Sequence, residues 1–150
     1  MYIDFKPDGK CYYCGKEYAQ YMKPVFENEH AVVYMAGYQK YYPGRCIVVL
    51  KSHKIEMFEL TKDEISGFFD AVGIISKAIS KVFKCDKLNY ATCGDTNPHF
   101  HMHIVPKIEN GYTWGKLFEM LPPENERILI DETGLDTMID KLRKAIKQDM

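Results

Sequence analysis

Apolar and polar positions alternate most strictly over residues 98–106, which read PHFHMHIVP. Phe100, Met102 and Ile104 recur at every second position, and a histidine stands before each of them. Successive side chains of a β-strand point to opposite faces, so the pattern predicts a strand whose apolar face packs on the core. Its other face carries three histidines with neighbours roughly 6–7 Å apart: His99, His101 and His103.

Other apolar runs predict further strands and two helices. Strands are expected over residues 24–27, 31–35, 46–50 and 88–93, and the near-continuous apolar run at 46–50 indicates a buried central strand. These strands and the histidine strand would form an antiparallel sheet.

A long helix is expected over residues 61–83, where apolar side chains recur at helical spacing. Thr61 is its expected N-cap, and Glu64 would complete a capping box. A second amphipathic helix is expected over residues 135–148. The order of strands and helices predicts an α+β fold with the helices on one face of the sheet.

The composition is that of an ordinary globular protein. The chain has 150 residues, of which 46% are hydrophobic and 27% charged, so we expect one domain over residues 1–150. A formal net charge of −1 creates no field that would attract nucleic acid or an anionic membrane. No apolar run approaches the roughly 18 residues of a membrane span, and the N-terminus does not resemble a signal peptide. We therefore expect a cytoplasmic protein. The first ten residues are polar and include Pro7 and Gly9, so we expect them to form an irregular arm.

Two of the five cysteines are spaced as in a zinc knuckle. Cys11 and Cys14 stand in a Cys-x-x-Cys arrangement that Gly15 follows, and such a turn lets two thiolates reach one ion. A redox motif of the thioredoxin type is an alternative, although no βαβ pattern surrounds the pair. Two unrelated thiols are the third interpretation, because this motif alone supplies only half a site.

The histidine row allows two functional interpretations. Three imidazoles on one strand face are difficult to explain by packing, since imidazole is a costly core group. They could bind a metal, because neutral imidazole is a common ligand. Alternatively, one histidine is a nucleophile, and the others position it and the group that it attacks.

The same residues resemble the signature of the histidine triad (HIT) superfamily of nucleotidyl hydrolases and transferases. Residues 99–105 fit its pattern His-φ-His-φ-His-φ-φ, with φ apolar, at all seven positions. Further matches lie on both sides of the triad and around residues 43–53: Asn89, Tyr90, Ala91, Gly94, Pro98, Pro106, Pro43, Gly44, Lys51 and His53. The resemblance implies an antiparallel sheet of about five strands with a long helix and a C-terminal helix.

The resemblance also implies a reaction. It identifies His101 as the nucleophile that attacks the α-phosphorus of a nucleotide conjugate, a dinucleoside polyphosphate or a nucleoside phosphoramidate. His103 would contact the phosphoryl oxygens or the leaving group, and His99 completes the catalytic triad. A second ring nitrogen of His101 should donate to a backbone carbonyl. The residues expected to contact substrate are Asn89, Thr96, Asn97 and Trp114.

A structural zinc site and a homodimer follow from the same resemblance. In bacterial members with an N-terminal Cys-x-x-Cys, two later histidines complete the site. The implied ligands here are Cys11, Cys14, His53 and His99, so His99 belongs to both predicted sets. Many HIT hydrolases pair through the sheet and the long helix, and residues 61–83 are apolar enough to do so.

Three departures concern substrate recognition. No Asp or Glu stands between Gly37 and Gly44, where many relatives have an acid that binds the ribose hydroxyls. Asp95 replaces an Asn after Gly94, and Arg45 replaces a common His. Two alternatives to the hydrolase therefore stay open: a nucleotide-binding module with little turnover, and a metalloenzyme that uses the triad as ligands.

Overall fold

A computed structural model describes residues 11–15, 17–121, 123, 125 and 129–150 of the chain. The irregular arm predicted for residues 1–10 lies outside the described residues. The described strands form one antiparallel sheet in the order β1-β2-β3-β5-β4. Their bounds are Met22–Glu27 (β1), Ala31–Ala36 (β2), Cys46–Leu50 (β3), Lys87–Ala91 (β4) and His101–Lys107 (β5).

Two α-helices accompany the sheet, α1 over Lys62–Phe83 and α2 over Glu132–Gln148. The Thr61 side chain accepts the Glu64 N–H at 3.1 Å and the Glu64 carboxylate accepts the Thr61 N–H at 2.8 Å, which is the predicted capping box. α2 begins three residues before its predicted start, because Asp131 caps it. Among the described residues, no helix has the length and apolar character needed to cross a membrane.

Both helices pack on the same face of the sheet, as predicted. Helix α1 contacts β2, β3 and β5, whereas α2 contacts β1 and α1. The side chains between them form the main core, and its largest fully buried members include Val33, Met35, Val48, Leu50, Phe68, Ile75, Ile79, Ile104 and Leu142. Phe100 and Met102 join this core, so the apolar face of the histidine strand is confirmed. The architecture is the expected α+β arrangement.

The opposite face of the sheet is covered in part by the first described residues. Cys11 and Tyr13, from the turn before the short 3-10 helix Glu17–Gln20, pack on Tyr34, Ile47 and Val49. His101 and His103 share this face with Val49 and Ile47, their pairing partners on β3. The two faces therefore differ in kind, since one is a helix-covered core and the other carries the histidines.

The central pair β3–β5 determines where the polar side chains lie. The Leu50 N–H donates to the Phe100 carbonyl at 3.1 Å, and the Phe100 N–H donates to the Lys54 carbonyl at 2.7 Å. These bonds extend the ladder beyond both strands, so the segment after β3 lies beside the segment before β5. His53 and His99 are thereby brought together from 46 residues apart.

The turn that leads into β3 requires a glycine. Gly44 has a φ of +97°, and a Cβ at this position would lie 2.6 Å from the Phe83 ring. Gln39 holds the turn, because its amide donates to the Ala36 and Arg45 carbonyls and its oxygen accepts the Gly44 N–H at 2.7 Å. The backbone of Arg45 is thus fixed at the beginning of the central strand.

Candidate functional site

Four potential metal-ligating side chains meet at one end of the histidine strand. Cys11 and Cys14 come from the N-terminal turn, His53 follows β3 and His99 precedes β5. Their ligand atoms all lie within 4.8 Å of one another. The Cys14 N–H also points to the Cys11 sulfur at 3.5 Å, which shapes the tight turn that brings both thiols to one side.

Four of the six distances between these donor atoms are close to those around a tetrahedral ion. The two Nδ1 atoms of His53 and His99 are 3.2 Å apart. The Cys14 sulfur lies 3.4 Å from His53 Nδ1 and 3.5 Å from His99 Nδ1, and the Cys11 sulfur lies 3.5 Å from His99 Nδ1. Around a zinc ion with Zn–N of about 2.0–2.1 Å and Zn–S of about 2.3 Å, neighbouring donors lie roughly 3.3–3.8 Å apart. The cluster can therefore bind a metal, and its donor set is that of a closed structural zinc site.

The protonation of His99 prepares its Nδ1 for this role. Its Nε2 lies 2.6 Å from the Leu50 carbonyl oxygen, which can only accept a hydrogen bond. The proton is therefore on Nε2, and Nδ1 presents a lone pair to the cluster. Burial lowers the pKa of His99, which favours this neutral ligand form. Burial, followed by the neighbouring Cys11 thiol, raises the pKa of Cys14 to about 11, so a bound cation would be needed to hold its thiolate.

His101 shows the opposite protonation. Its Nδ1 lies 2.7 Å from the His99 carbonyl oxygen, so the proton is on Nδ1 and the lone pair is on Nε2. Burial lowers the pKa of His101, although the bond to the His99 carbonyl opposes this shift. The side chain lines an open cavity of about 610 Å³. A neutral imidazole with a fixed tautomer therefore faces a space large enough for a nucleotide-sized ligand.

His103 lies beside His101 and lines the same cavity, with ring centroids 5.1 Å apart. Its Nδ1 is buried and has no hydrogen-bond partner within the described part of the chain. Burial, then the charges of His101 and Arg45, lower the pKa of His103 to about 3. This imidazole is therefore neutral at physiological pH and has an unused buried polar atom.

The rest of the cavity wall is largely aromatic and apolar. It includes four tyrosines and five apolar residues: Tyr12, Tyr13, Tyr21, Tyr38, Met22, Ala36, Ile47, Met120 and Leu121. The loop over residues 93–97 supplies most of the polar wall, and Gly94 takes a φ of +83° within it. Asp95 is the single acidic side chain among the described residues that line the cavity. Flat apolar rings of this kind suit a nucleobase.

The predicted substrate residues are divided between the cavity and its surroundings. Thr96 and Asn97 line the cavity, whereas neither Asn89 nor Trp114 belongs to its described lining. Asn89 shares the histidine face of the sheet but lies farther along β4, opposite Val105. Trp114 lies in a turn after β5, where its backbone N–H donates to the Gly111 carbonyl at 3.1 Å.

One functional candidate was missed by reasoning from the sequence, and another was left undecided. Arg45, which replaces a common His and from the sequence could either supply a cation or lie on the surface, is 4% exposed and lines the cavity. Tyr13 is buried, and its ring centroid lies 5.6 Å from that of His99 and 5.0 Å from that of His101. Its place between the two cysteines is a signal that could have identified it. If both cysteines lie beside the histidines, Tyr13 must lie there too.

Comparison with known sequences agrees with the resemblance seen in the triad. Residues 16–110 match the family described as the HIT domain. An uncharacterized HIT-like protein of Mycoplasma genitalium is 32% identical over 100 residues, which cover 61% of this chain and 67% of that protein.

Two yeast relatives have names that describe an activity. The bis(5'-nucleosyl)-tetraphosphatase (asymmetrical) of Schizosaccharomyces pombe is 28% identical over 124 residues, covering 71% of this chain and 66% of that protein. The bis(5'-adenosyl)-triphosphatase of Saccharomyces cerevisiae is 26% identical over 102 residues, covering 57% of this chain. The matched region spans half the length of the triphosphatase.

Solved structures show the same fold. A histidine triad protein from Bradyrhizobium japonicum superposes with a TM-score of 0.74 at 21% identity, covering 87% of this chain and 94% of that one. A Zn-bound histidine triad family protein from Mycobacterium smegmatis superposes with a TM-score of 0.59 at 17% identity, covering 92% and 94% of the two chains. At these identities the likeness concerns the fold alone.

Proposed function

The chain belongs to the HIT domain family, and we propose that it hydrolyses a nucleotide conjugate through a nucleotidyl-His101 intermediate. The observation that carries this proposal is the hydrogen bond from His101 Nδ1 to the His99 carbonyl. That bond leaves the Nε2 lone pair available in the cavity, as a nucleophilic imidazole requires. The yeast relatives named as dinucleoside polyphosphate hydrolases support the substrate class.

The proposed reaction has two displacements at phosphorus. His101 Nε2 attacks the α-phosphorus, a P–N bond forms, and the bond to the leaving group breaks with its electron pair on that group. The His99 carbonyl stabilises the positive charge that develops on the His101 ring through the Nδ1–H bond. Water then attacks the same phosphorus, the P–N bond breaks with its electron pair on His101 Nε2, and the water gives up a proton to the solvent. The nucleotide leaves, and His101 is again neutral.

Other cavity residues would assist each displacement. His103 would contact the phosphoryl oxygens or the leaving group, since its ring adjoins that of His101. Thr96 and Asn97 would add donors from the loop over residues 93–97. Asn89 and Trp114 would act from outside the cavity wall, through a substrate that extends beyond it. His99 would contribute to catalysis by holding His101 with its carbonyl rather than by contacting substrate.

We also propose that Cys11, Cys14, His53 and His99 together bind a structural zinc ion. The support is the Cys₂His₂ donor set and the tetrahedral spacing of its atoms. A bound zinc would tie the N-terminal turn to the segments beside β3 and β5. It would thereby hold Tyr13 against His101 without taking part in the reaction.

A homodimer is the proposed assembly. Helix α1 exposes three large apolar side chains, Ile65, Phe69 and Ile74, each between 37% and 39% exposed. A second copy that pairs through the long helix and sheet would cover such side chains. Light scattering at micromolar concentration should give twice the chain mass, and a monomer mass would refute the dimer.

The hydrolase proposal is tested by trapping the intermediate. Wild-type protein, His101→Asn and His103→Ala are each mixed with a panel of dinucleoside polyphosphates and nucleoside phosphoramidates, quenched within one turnover and analysed by mass spectrometry. Wild type should carry one nucleotidyl group on His101, and His103→Ala should form the same adduct more slowly. His101→Asn should bind nucleotide without forming it.

A specific observation supports a nucleotide-binding module as the second candidate. The segment over residues 37–44 contains no Asp or Glu, and the one acid among the described lining residues, Asp95, is exposed. If mononucleotides bind but no conjugate is cleaved or forms an adduct, this second function replaces the first. The metalloenzyme alternative has less support, because the metal-ligating cluster contains His99 but neither His101 nor His103.

A further inference from the structure

Arg45 is a buried cation whose hydrogen-bonding capacity is only partly used. It is 4% exposed, and one Nη1–H donates to the Met120 carbonyl at 3.0 Å. Its Nε is buried and has no partner within the described residues. No carboxylate in the described part of the chain lies within ion-pair distance of the guanidinium. A buried charge that no described carboxylate balances is costly, and a bound anion would offset that cost.

The described residues around Arg45 contribute aromatic rings rather than a carboxylate. The Tyr42 and Phe118 rings lie 5.8 Å and 5.9 Å from the guanidinium carbon, so aromatic faces hold the group in place. Its backbone is fixed by the Tyr42 carbonyl, which accepts the Arg45 N–H at 3.0 Å. The guanidinium is therefore held in position, with donors to spare, at the wall of the cavity.

A second buried cation provides a contrast. Lys107 is also 4% exposed, but its Nζ donates to two carbonyls, those of Thr113 at 2.9 Å and of Lys116. It is absent from the described lining of the cavity. Lys107 has a structural explanation, since it ties the turn after β5 to the sheet. Among the described residues, Arg45 makes one such tie, and its Nε has no partner there.

The position of Arg45 points to an anion on the substrate. It is the single basic Lys or Arg side chain among the described residues that line the cavity, and its charge acts on the neighbouring His103. The phosphorus under attack must lie at His101. The group bonded to that phosphorus must then occupy the cavity beside His101, which His103 and Arg45 also line.

We infer that Arg45 forms an anion subsite, which binds the phosphate next to the one attacked by His101. This inference rests on the proposed hydrolase function and deepens it, because it selects a substrate class. The preferred conjugates would carry a chain of two or more phosphates. The leaving group is then a phosphate oxygen whose negative charge the guanidinium stabilises through paired N–H donors. A phosphoramidate has no second phosphate, and its amine leaving group offers the guanidinium no anion.

The first experiment measures binding of inorganic pyrophosphate by calorimetry, which needs neither turnover nor a nucleoside. Arg45→Gln removes the charge but keeps an amide donor for the Met120 carbonyl. It should bind pyrophosphate about 10- to 100-fold more weakly than wild type, as expected for the loss of a charged hydrogen-bonding partner. Arg45→Lys should recover part of the affinity. The control Lys107→Met, which removes the other buried cation, should bind pyrophosphate as wild type does.

The second experiment measures specificity. The ratio of kcat/KM for a dinucleoside polyphosphate over that for a nucleoside phosphoramidate should fall at least about 10-fold in Arg45→Gln. Equal losses on both substrates would overturn the subsite, since they would mean that Arg45 only holds the Met120 segment. Unchanged pyrophosphate affinity in Arg45→Gln would also overturn it.

A third arm needs no variant and separates this inference from the parent proposal. Wild-type protein should bind a nucleoside diphosphate at least about 10-fold more tightly than the corresponding monophosphate, and equal affinities would refute the subsite even if Arg45→Gln does not fold. If no conjugate is cleaved, the hydrolase proposal fails. Pyrophosphate and diphosphate binding would then still decide whether Arg45 receives an anion.

Discussion

Two histidines at the beginning of the histidine strand are held in opposite tautomers. Just before the strand, the Leu50 carbonyl holds the proton of His99 on Nε2, so that Nδ1 faces two thiols and the His53 ring. Two residues farther on, the His99 carbonyl holds the proton of His101 on Nδ1, so that Nε2 is available in the cavity. The backbone carbonyl that each ring meets, rather than the residue type, therefore determines whether a histidine is suited to a metal or to phosphorus.

The two regions also differ in what their polar groups face. In the cluster, four ligand atoms face one another from three separate segments of the chain, although the other ring nitrogen of His53, Nε2, is buried without a partner in the described residues. In the cavity, His103 Nδ1 and Arg45 Nε are likewise buried without partners in the described residues, and both residues line the open space. Ligand atoms that converge on one point suit a structural ion, whereas unsatisfied groups at the wall of a cavity suit a ligand that supplies what they lack.

The largest expected effect on activity comes from replacing His101, and replacing His99 provides the contrast. His101→Asn should lower kcat/KM by about 10⁴-fold or more, because it removes the nucleophile. Its metal content should stay at that of wild type, and its melting temperature should shift by no more than about 3 °C. His99→Asn should instead lose metal and stability as its primary effect, because it removes a ligand of the cluster. Near-wild-type rates for His101→Asn on any good substrate would show that the nucleophile is misassigned.

The next effect is on stability, through the cluster. Cys11→Ser should bind far less zinc than one ion per chain in elemental analysis of protein made in metal-free buffer. In buffer that contains zinc, the free energy of unfolding of Cys11→Ser should be lower than that of wild type by on the order of 4 kcal/mol. This is the stabilisation that zinc binding gives the wild type when the free zinc concentration is about 1,000 times the Kd for zinc. Cys85→Ser is the matched control, since Cys85 is a half-buried thiol outside the cluster. Full zinc retention in Cys11→Ser would contradict the ligand set.

The fold could be predicted because its signals are local. Alternation over residues 98–106 indicated the triad strand, which is confirmed, although the strand spans His101–Lys107 and His99 precedes it. The Thr61–Glu64 box indicated where α1 begins, and it is confirmed. The start of α2 was predicted too late, because its first turn, after the Asp131 cap, contains no apolar residue before Leu135. Patterning marks the buried face of a helix, whereas caps mark its end.

The site could be predicted only where a motif named its members. The Cys-x-x-Cys spacing and the family positions of His53 and His99 led to four residues that the fold brings together. The burial of Arg45 could not be predicted, because it depends on the Met120 segment folding over it from 75 residues away. Contacts of that range leave no periodic trace in the sequence.

A smaller effect on kcat/KM is expected from Tyr13, whose ring contacts both the cluster and the cavity. The Tyr13 ring packs against His99 on one side and His101 on the other. Tyr13→Leu should reduce kcat/KM about 10-fold while zinc content is retained, because aromatic contacts of this kind contribute about 0.5–1.5 kcal/mol and orient the imidazole. Tyr18→Leu removes a ring that packs on Tyr13 but not on the histidines, and should change kcat/KM far less. Equal effects of the two variants would mean that Tyr13 acts only through general packing.

The smallest effect concerns Glu64, which supports the cluster without belonging to it. Its carboxylate accepts hydrogen bonds from Ser52 at 2.7 Å and Lys54 at 2.6 Å, the two neighbours of His53 in the chain, and also caps α1. The Lys54 ammonium, then Ser52 and the Thr61 N–H, lower the pKa of Glu64 to about 2. A carboxylate whose pKa is depressed on folding stabilises the protein above its ordinary pKa of about 4.5, and that contribution is lost as the pH falls toward 2.

Glu64→Gln should therefore lower the free energy of unfolding by about 1 kcal/mol at pH 7, because a glutamine can still accept the Thr61 N–H of the capping box but loses the charged bond to the Lys54 ammonium. The difference from wild type should shrink as the pH falls below about 4.5, because a protonated Glu64 and a glutamine have the same charge and nearly the same shape. Urea titrations at a series of pH values would measure it. The cavity should be unaffected, since Glu64 is absent from its described lining, so kcat/KM should stay within about twofold of wild type. A large loss of activity without a loss of stability would show that the segment around His53 reaches the cavity as well as the cluster, and the division between the two regions would not hold.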